Sequence, residues 1–415
     1  MNAALVELEI DSIAAGGDGV ARADGLVVFV PRSAPGDRGR ARVAVRGRMA
    51  RGEMIALDHP SDRRVEPPCA HYTVDRCGGC QLQHLRYDAQ LDAKRGIVAD
   101  SLQRIARRTV DVPPVTASDR EWHYRRKLTL ALRRRGSRWI AGLHPYDAPG
   151  RVFELRDCPI TDERVVEAWR SIMRASALLP EAVDELRGAV RLLGDGVSFV
   201  LEGGRRWTRW QEFAAAAPVV TSLWWTRQGG TRRLLQDTRA DASPAASFVQ
   251  VNQGVAAELW RHALARVEAH APRTVVDAYA GSGDASVALA SRGARVTAIE
   301  ADREAAAYCG QRLSSPGMMP GSRSIAGLVE DALPSALPAD AAIVNPPRTG
   351  LHERASATLE ASDTAAVIYV SCNPATLARD LGRMPSYRVA SLRAFDMFPQ
   401  TAHVETVCEL VREAA

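Results

Sequence analysis

From about residue 246 onward, short apolar runs alternate with Ala-rich stretches of helical length; the runs are Thr274–Asp277, Arg295–Glu300, Ala341–Asn345 and Ala366–Val370. Few architectures accept this alternation, because each strand must lie beside a parallel neighbour and pass the chain to a helix that covers the sheet. The pattern predicts a doubly wound α/β sheet over 246–415. Such sheets bind ligands outside the carboxyl ends of their strands, so the residues that follow each run are where chemistry is expected.

The first run ends in Asp277 and continues as Ala278-Tyr279-Ala280-Gly281-Ser282-Gly283-Asp284, a strand, a glycine-rich turn and a helix start. This arrangement lets a ligand approach the backbone at a helix N-terminus. A dinucleotide fingerprint would place Gly or Ala at 286, where this chain has Ser286, whereas a nucleoside without a pyrophosphate needs no third glycine. The turn therefore favours S-adenosylmethionine over NAD. Glu300 closes the next run, at the point where an acid accepts hydrogen bonds from both ribose hydroxyls. Asp331, in a Val-Glu-Asp turn before the following strand, is expected at the adenine. The third run ends in Asn345-Pro346-Pro347-Arg348-Thr349-Gly350. Its prolines force an extended loop. Asn-Pro-Pro at this place also serves amino-group methyltransferases, so the motif speaks for the class and leaves the target atom open.

The run Ala366–Val370 delivers Ser371-Cys372-Asn373-Pro374 to the same edge. An exocyclic amine needs no covalent help, but carbon 5 of uracil is a poor nucleophile until something adds to carbon 6. A thiolate suits that addition and can leave again. The carbon 5 proton must then be removed by a base near the target. Asp396 to Glu405 offers His403 and Glu405, which chemistry alone does not rank.

Of the seven cysteines, four form a set: Cys69, Cys77 and Cys80 in Pro-Cys-(x7)-Cys-Gly-Gly-Cys, and Cys158 in Arg-Asp-Cys-Pro. In a reducing compartment a Cys-x2-Cys pair points to a metal or redox site rather than a disulfide. Four thiolates suit tetrahedral zinc and an iron-sulfur cluster equally.

Residues 3 to about 58 read as short strands broken by Gly and Pro, the pattern of a small β-barrel. Leu85, Leu91, Ile97, Val98, Leu102 and Ile105 recur at helical spacing, and 120–245 is strand-like. The net charge of +5 only mildly favours an anionic partner. Its distribution says more: from Arg120 to Arg138 eight basic residues stand against one acid, Glu121, with Trp122, Tyr124 and Trp139 among them. RNA-binding surfaces use that mixture. Lysine occurs only at 94 and 127. No apolar stretch approaches the length of a membrane span, and the first residues lack the basic start and apolar core of an export signal, so a cytoplasmic protein is expected.

With the four cysteines, Phe248-Val-Gln250-Val-Asn252, Asp277 to Gly281, Asn345-Pro-Pro-Arg-Thr-Gly, Ser371-Cys-Asn-Pro and Phe398-Pro-Gln-Thr-Ala-His-Val-Glu405 in order, the chain resembles the bacterial RNA uracil-C5 methyltransferases over nearly its whole length. It is most similar to the branch that acts on 23S ribosomal RNA. The barrel is similar to a TRAM domain, an OB-like fold, and the four cysteines match that branch's [4Fe-4S] ligands; the transfer-RNA branch usually lacks both. The resemblance implies Cys372 as nucleophile and Glu405 as base. It places Gln250, Tyr279, Glu300 and Asn345 around S-adenosyl-L-methionine, with Asp284 a further contact and Asp331 matched loosely. It also resolves the metal towards a [4Fe-4S] cluster on Cys69, Cys77, Cys80 and Cys158. One departure is Asn345, where the family usually has Asp; an amide adds no negative charge beside the cofactor's cationic groups.

The expected organisation is a TRAM-like RNA-binding barrel over 1–60, a central mostly β domain with the iron-sulfur cysteines over 61–245, and a Rossmann-like methyltransferase domain over 246–415, on which the helical segment of about 82–110 packs. The expected activity is methylation of uracil C5 in structured RNA, ribosomal RNA being favoured over transfer RNA, by a monomer. An amino-group methyltransferase of nucleic acids and a non-catalytic RNA-binding or assembly factor are the alternatives.

Overall fold

Three sheets follow one another along the chain in a computed structural model that describes residues 4–47, 49–181, 185–240, 244 and 250–413. Phe248 and the expected boundary near 245 lie outside the described residues.

The first sheet is a closed barrel of β1 (Ala4–Ile13), β2 (Gly19–Ala23), β3 (Leu26–Val30), β4 (Arg38–Arg46) and β5 (Met49–His59), in the order β1-β2-β3-β5-β4. Alternation drives it: Leu8 and Ile10 point inward to meet Val28, Val30 and Val43, while Glu7 and Glu9 face water. A second apolar patch, Ile13 and Ala34, packs on Leu82, Leu85 and Ala402 and so docks the barrel on the far end of the chain. Gly17 makes the approach feasible. It has φ +88°, and a Cβ there would lie 2.4 Å from Gln81 Cβ and 3.3 Å from Ala402 Cβ.

The central sheet comprises β6 (Lys127–Arg135), β7 (Arg138–Leu143), β8 (Phe153–Glu154), β9 (Glu185–Leu192), β10 (Val197–Glu202), β11 (Ser222–Thr226) and β12 (Arg232–Asp237), ordered β12-β11-β10-β9-β6-β7-β8. The helix Glu163–Arg174 lays Val165, Trp169 and Ile172 on it. This sheet corrects the reading of the basic stretch as a base-stacking surface. Trp139 and Tyr124 are buried in separate cores, and Trp122 packs on the cysteine cluster. Arg133 and Arg138 are paired with Glu185 and Glu154. Trp122 and Tyr124 precede β6 and lie in the segment that packs on the cysteine loops, and Trp139 lies on β7, which is buried from Trp139 to Gly142.

The third sheet holds β13 (Thr274–Ala278), β14 (Arg295–Glu300), β15 (Arg323–Ala326), β16 (Ala341–Val344), β17 (Ala366–Ser371), β18 (Tyr387–Phe395) and β19 (Glu405–Arg412), in the order β15-β14-β13-β16-β17-β19-β18. The five strands from β15 to β17 are parallel; β19 runs antiparallel to β17 and to β18. Helices cover both faces. Ala366, Ile368 and Val370 share one core with the helices Gln253–Glu268 and Asp284–Ser291, and Val367 and Tyr369 share the other with Leu359 and Leu377. Strand order reverses between β13 and β16, which opens a crevice at their carboxyl ends. Among the described residues no helix is long and apolar enough to cross a membrane.

The second of these cores also contains Val98 and Leu102, from the helix Tyr87–Ser101 and the π-turn Leu102–Ala106 that continues it. The far end of the chain thus completes its hydrophobic core with residues from the first quarter. Leu102 is 1% exposed, so Leu102→Ala is expected to cost about 2–5 kcal/mol in urea unfolding. Leu5→Ala, at 62% exposure on the barrel, is expected to cost less than about 0.5 kcal/mol. Equal effects would contradict this packing.

Candidate active site

The turn between β13 and the helix Asp284–Ser291 uses left-handed backbone at three of its five residues. Tyr279, Gly281 and Gly283 have φ of +64°, +56° and +81°. A Cβ at 283 would lie 2.2 Å from Cys309 Sγ, so that glycine is dictated by packing; one at 281 meets nothing within 4 Å, so that glycine faces open space. Gly281 N–H donates to Glu300 Oε2 at 2.8 Å, and Asp302 N–H donates to Glu300 Oε1 at 2.7 Å. Two amides therefore hold the Glu300 carboxylate beside the open turn. Asp277 is buried and accepts from Ser286 Oγ at 2.5 Å. Burial pushes its carboxyl up to about 6, and the pair ties strand to helix, which accounts for a serine at 286. Gln250 Oε1 is buried and accepts from none of the described residues.

Across the crevice Asn345 N–H donates to Ala278 O at 3.1 Å, joining the loop after β16 to the end of β13. Asp380, fully buried, accepts from Leu351 N–H at 2.7 Å and Tyr369 O–H at 2.8 Å, and Arg379 donates to Thr349 O at 2.7 Å. Asn373 Nδ2 donates to Arg348 O at 3.1 Å. These contacts hold the Pro-Pro-Arg loop in place and leave the Arg348 side chain exposed at its rim.

Asn373 also caps the helix Pro374–Gly382, its Oδ1 accepting from Ala375 N–H at 3.1 Å, with Pro374 in the first turn. Cys372 is therefore the link between the end of β17 and a helix start, half-buried. In the β17–β19 register Ser371 faces Thr406, so the next step places Cys372 against Glu405, the first residue of β19. Glu405 is 3% exposed. Burial pushes its carboxyl up to about 8, against the pull of the Arg348 guanidinium. Burial, and then the Glu405 charge, push the Cys372 thiol up to about 11, again opposed by Arg348. His403 is held down to about 4 by burial and by Arg348, Lys94 and Arg125. At neutral pH it is an uncharged imidazole.

Not every expected residue converges here. Asp284 begins its helix but is paired with Arg312 at 2.6 Å, its side chain 83% exposed. Asp331 lies in the first turn of the helix Val329–Ala336 rather than in a turn before a strand, and is ion-paired with Arg354 at 3.0 Å. Arg348, which faces both Cys372 and Glu405, carries no role in the sequence reading; its place directly after Pro-Pro was the available signal.

Cys69, Cys77, Cys80 and Cys158 line one cavity of about 250 Å³ together with Arg125, Arg348, Phe398, Thr401 and His403. Among the described residues no three His, Cys, Asp or Glu side chains stand at the spacing of a single ion. The thiols surround a space instead of closing on one point. Cys80 and Cys77 are pushed up by burial, Cys77 to about 11 and against the pull of Arg32, because the thiolate form loses its water.

A family model described as tRNA (Uracil-5-)-methyltransferase matches residues 318–413. An uncharacterized RNA methyltransferase of Protochlamydia amoebophila is 31% identical over 427 residues, spanning 98% of this chain and 97% of that one. The chain belongs to the RNA uracil-C5 methyltransferase family. It is an RNA (uracil-5-)-methyltransferase that uses S-adenosylmethionine. A similar protein of Gloeobacter violaceus, also named an uncharacterized RNA methyltransferase, is 32% identical over 454 residues and covers 98% of this chain and 96% of its own. The solved Pyrococcus abyssi tRNA (uracil-54, C5)-methyltransferase, in complex with S-adenosyl-L-homocysteine, shares the fold with a TM-score of 0.67 at 24% identity, over 97% of this chain and 99% of that one.

A buried carboxyl raised above its unfolded value stabilises the fold below the unfolded pKa, near 4.5, and loses that contribution as pH rises towards about 8. Glu405→Gln is therefore expected to leave the urea midpoint near pH 4.5 almost unchanged and to raise stability at pH 8–9 by an amount on the order of a few kcal/mol. A variant no more stable than wild type at pH 9 would show that Glu405 is not desolvated as described.

Proposed function

We propose that this methyltransferase adds its methyl group to carbon 5 of a uridine through a covalent intermediate on Cys372, with Glu405 as the base. The observation that carries the reading is the juxtaposition of Cys372 and Glu405 across β17 and β19, at the sheet edge where the glycine turn and the Asn345 loop also end. The Cys372 thiolate adds to carbon 6, forming a carbon–sulfur bond and leaving an enolate whose carbon 5 is nucleophilic. S-adenosylmethionine, when bound, supplies the electrophilic methyl. Glu405 then accepts the carbon 5 proton, the carbon–sulfur bond breaks and Cys372 departs as thiolate. Arg348 favours the charged form of both groups. Gln250, Tyr279, Glu300 and Asn345 form the cofactor cradle in this reading. Asp284 and Asp331 contribute only where their ion pairs with Arg312 and Arg354 open.

The four cysteines are assigned to a [4Fe-4S] cluster. A cluster spreads its thiolates over a cube of iron and sulfide, whereas zinc draws four ligands to one point, and four thiols around a cavity fit the former. Bound there, it would cross-link Cys69, Cys77 and Cys80 to Cys158; the methyl transfer itself moves no electrons. The substrate is assigned as structured RNA, ribosomal before transfer RNA, on the barrel and the cysteine set. Mapping 5-methyluridine in the RNAs of cells with and without the gene tests this, and loss confined to transfer RNA would reverse the order.

Cys372→Ala is expected to abolish methylation and to form no adduct. Glu405→Gln is expected to attack and methylate but to stall before elimination, leaving an RNA–protein adduct stable to denaturing electrophoresis. Release of methylated RNA by the Gln variant at the normal rate would remove Glu405 from the base role. Protein purified without oxygen is expected to be brown, with iron and acid-labile sulfide in equal amounts; stoichiometric zinc without iron would sink the cluster assignment.

A further inference from the structure

The run Asp396–Glu405 leaves β18, crosses the carboxyl edge of the sheet and enters β19 at the proposed base. Its conformation is not self-supporting: Gln400 has φ +70°, and much of its hydrogen bonding goes to the helix Tyr87–Ser101, some three hundred residues earlier. Gln90 and Gln400 form a reciprocal pair, Gln90 Nε2 donating to Gln400 Oε1 at 2.9 Å and Gln400 N–H donating to Gln90 Oε1 at 2.9 Å. One turn on, and so on the same helix face, Lys94 Nζ donates to Asp396 Oδ1 and, at 3.0 Å, to Phe398 O. Lys94 and Asp396 are both 0% exposed. This fully buried side chain is one of two lysines among 54 basic residues. A buried ion pair gains little over apolar residues of the same volume as a source of stability. Its two bonds do, however, fix both the start of the loop and the carbonyl five residues before His403.

We propose that Lys94 is a positioning residue for the uracil methylation: through Asp396 and Phe398 it sets the path of the loop that aims Glu405 at the carbon 5 proton. This rests on the reading of Glu405 as base. Among the described residues Lys94 bonds Asp396 and Phe398 and neither the glycine turn nor Cys372, so its loss acts on the step that follows methyl transfer.

The test compares wild type, Lys94→Met, the paired variant Lys94→Met/Asp396→Asn and Glu405→Gln in the full-length protein. The paired variant is near-isosteric and leaves no uncompensated buried charge, so it is the one read if Lys94→Met alone fails to fold. It is expected to unfold near the wild-type urea midpoint and to bind S-adenosylmethionine with unchanged affinity. Its kcat is expected to fall by about ten- to a hundredfold, as when a reacting group is held out of place, while the RNA–protein adduct accumulates as in Glu405→Gln. A folded paired variant with wild-type kcat and adduct lifetime overturns the proposal. So does a paired variant that cannot fold, because the pair would then serve stability. So does a fall in kcat without adduct in a series where Glu405→Gln does trap it. Failure of Glu405→Gln itself to trap the adduct defeats the base assignment, and is seen in that variant alone.

Discussion

The pairing of β17 with β19 is the contact on which the rest of the site depends. β19 enters the sheet antiparallel, between β17 and β18, so its first residue arrives at the edge where β17 ends. Every other functional strand delivers its loop to that edge by running parallel. The antiparallel insertion delivers a residue from a later part of the chain, head-on to Cys372. A slip of one residue would turn every side chain of β19 to the opposite face, sending Glu405 away from the thiol. Thr406 Oγ1 donating to Ser371 O at 3.3 Å helps to hold the register beside the pair.

That placement imposes an electrostatic cost which the site uses. Taking a carboxyl and a thiol out of water favours their neutral forms, and the Glu405 charge raises the Cys372 thiol further. Arg348 is the nearby charge that works against both shifts. A carboxyl that lies near 8 is reluctant to stay ionised at neutral pH, but once ionised it is a stronger proton acceptor than a solvated glutamate, which suits the role proposed for Glu405. The same desolvation keeps the His403 imidazole neutral, so it adds no cation to the cavity it lines beside the cysteines.

Although the chain divides into three sheets, the loop from Asp396 to Glu405 touches material from all along it. Ala402 packs on Ile13 and Ala34 of the barrel end, Tyr124 O–H donates to Pro399 O at 3.0 Å, and Gln81 N–H donates to Gln400 O at 3.2 Å. Gln81 directly follows Cys80, and Phe398, Thr401 and His403 of the loop line the cysteine cavity itself. A disturbance of the cysteine loops would therefore reach the active edge through a chain of backbone hydrogen bonds.

Much of this was legible in the residues. Alternating strands and helices announced the doubly wound sheet, and the composition of each post-strand loop located the glycine turn, Glu300, Asn345 and Cys372, because strand termini and turns are encoded by local sequence. The barrel was legible for the same reason, since Gly and Pro punctuate its strands. What local pattern misread was anything set by facing: the arginine-rich stretch looked like an exposed stacking surface until Trp139 and Tyr124 proved to be core, and Asp331 looked like a turn residue until it proved to lie in a helix and to pair with Arg354. The placing of Glu405 opposite Cys372, the approach of Arg348 to both and the reach of Lys94 into a loop three hundred residues away depend on strand order and on helix docking. Those are decided by which apolar faces bury each other, a property of the whole chain that no single segment carries.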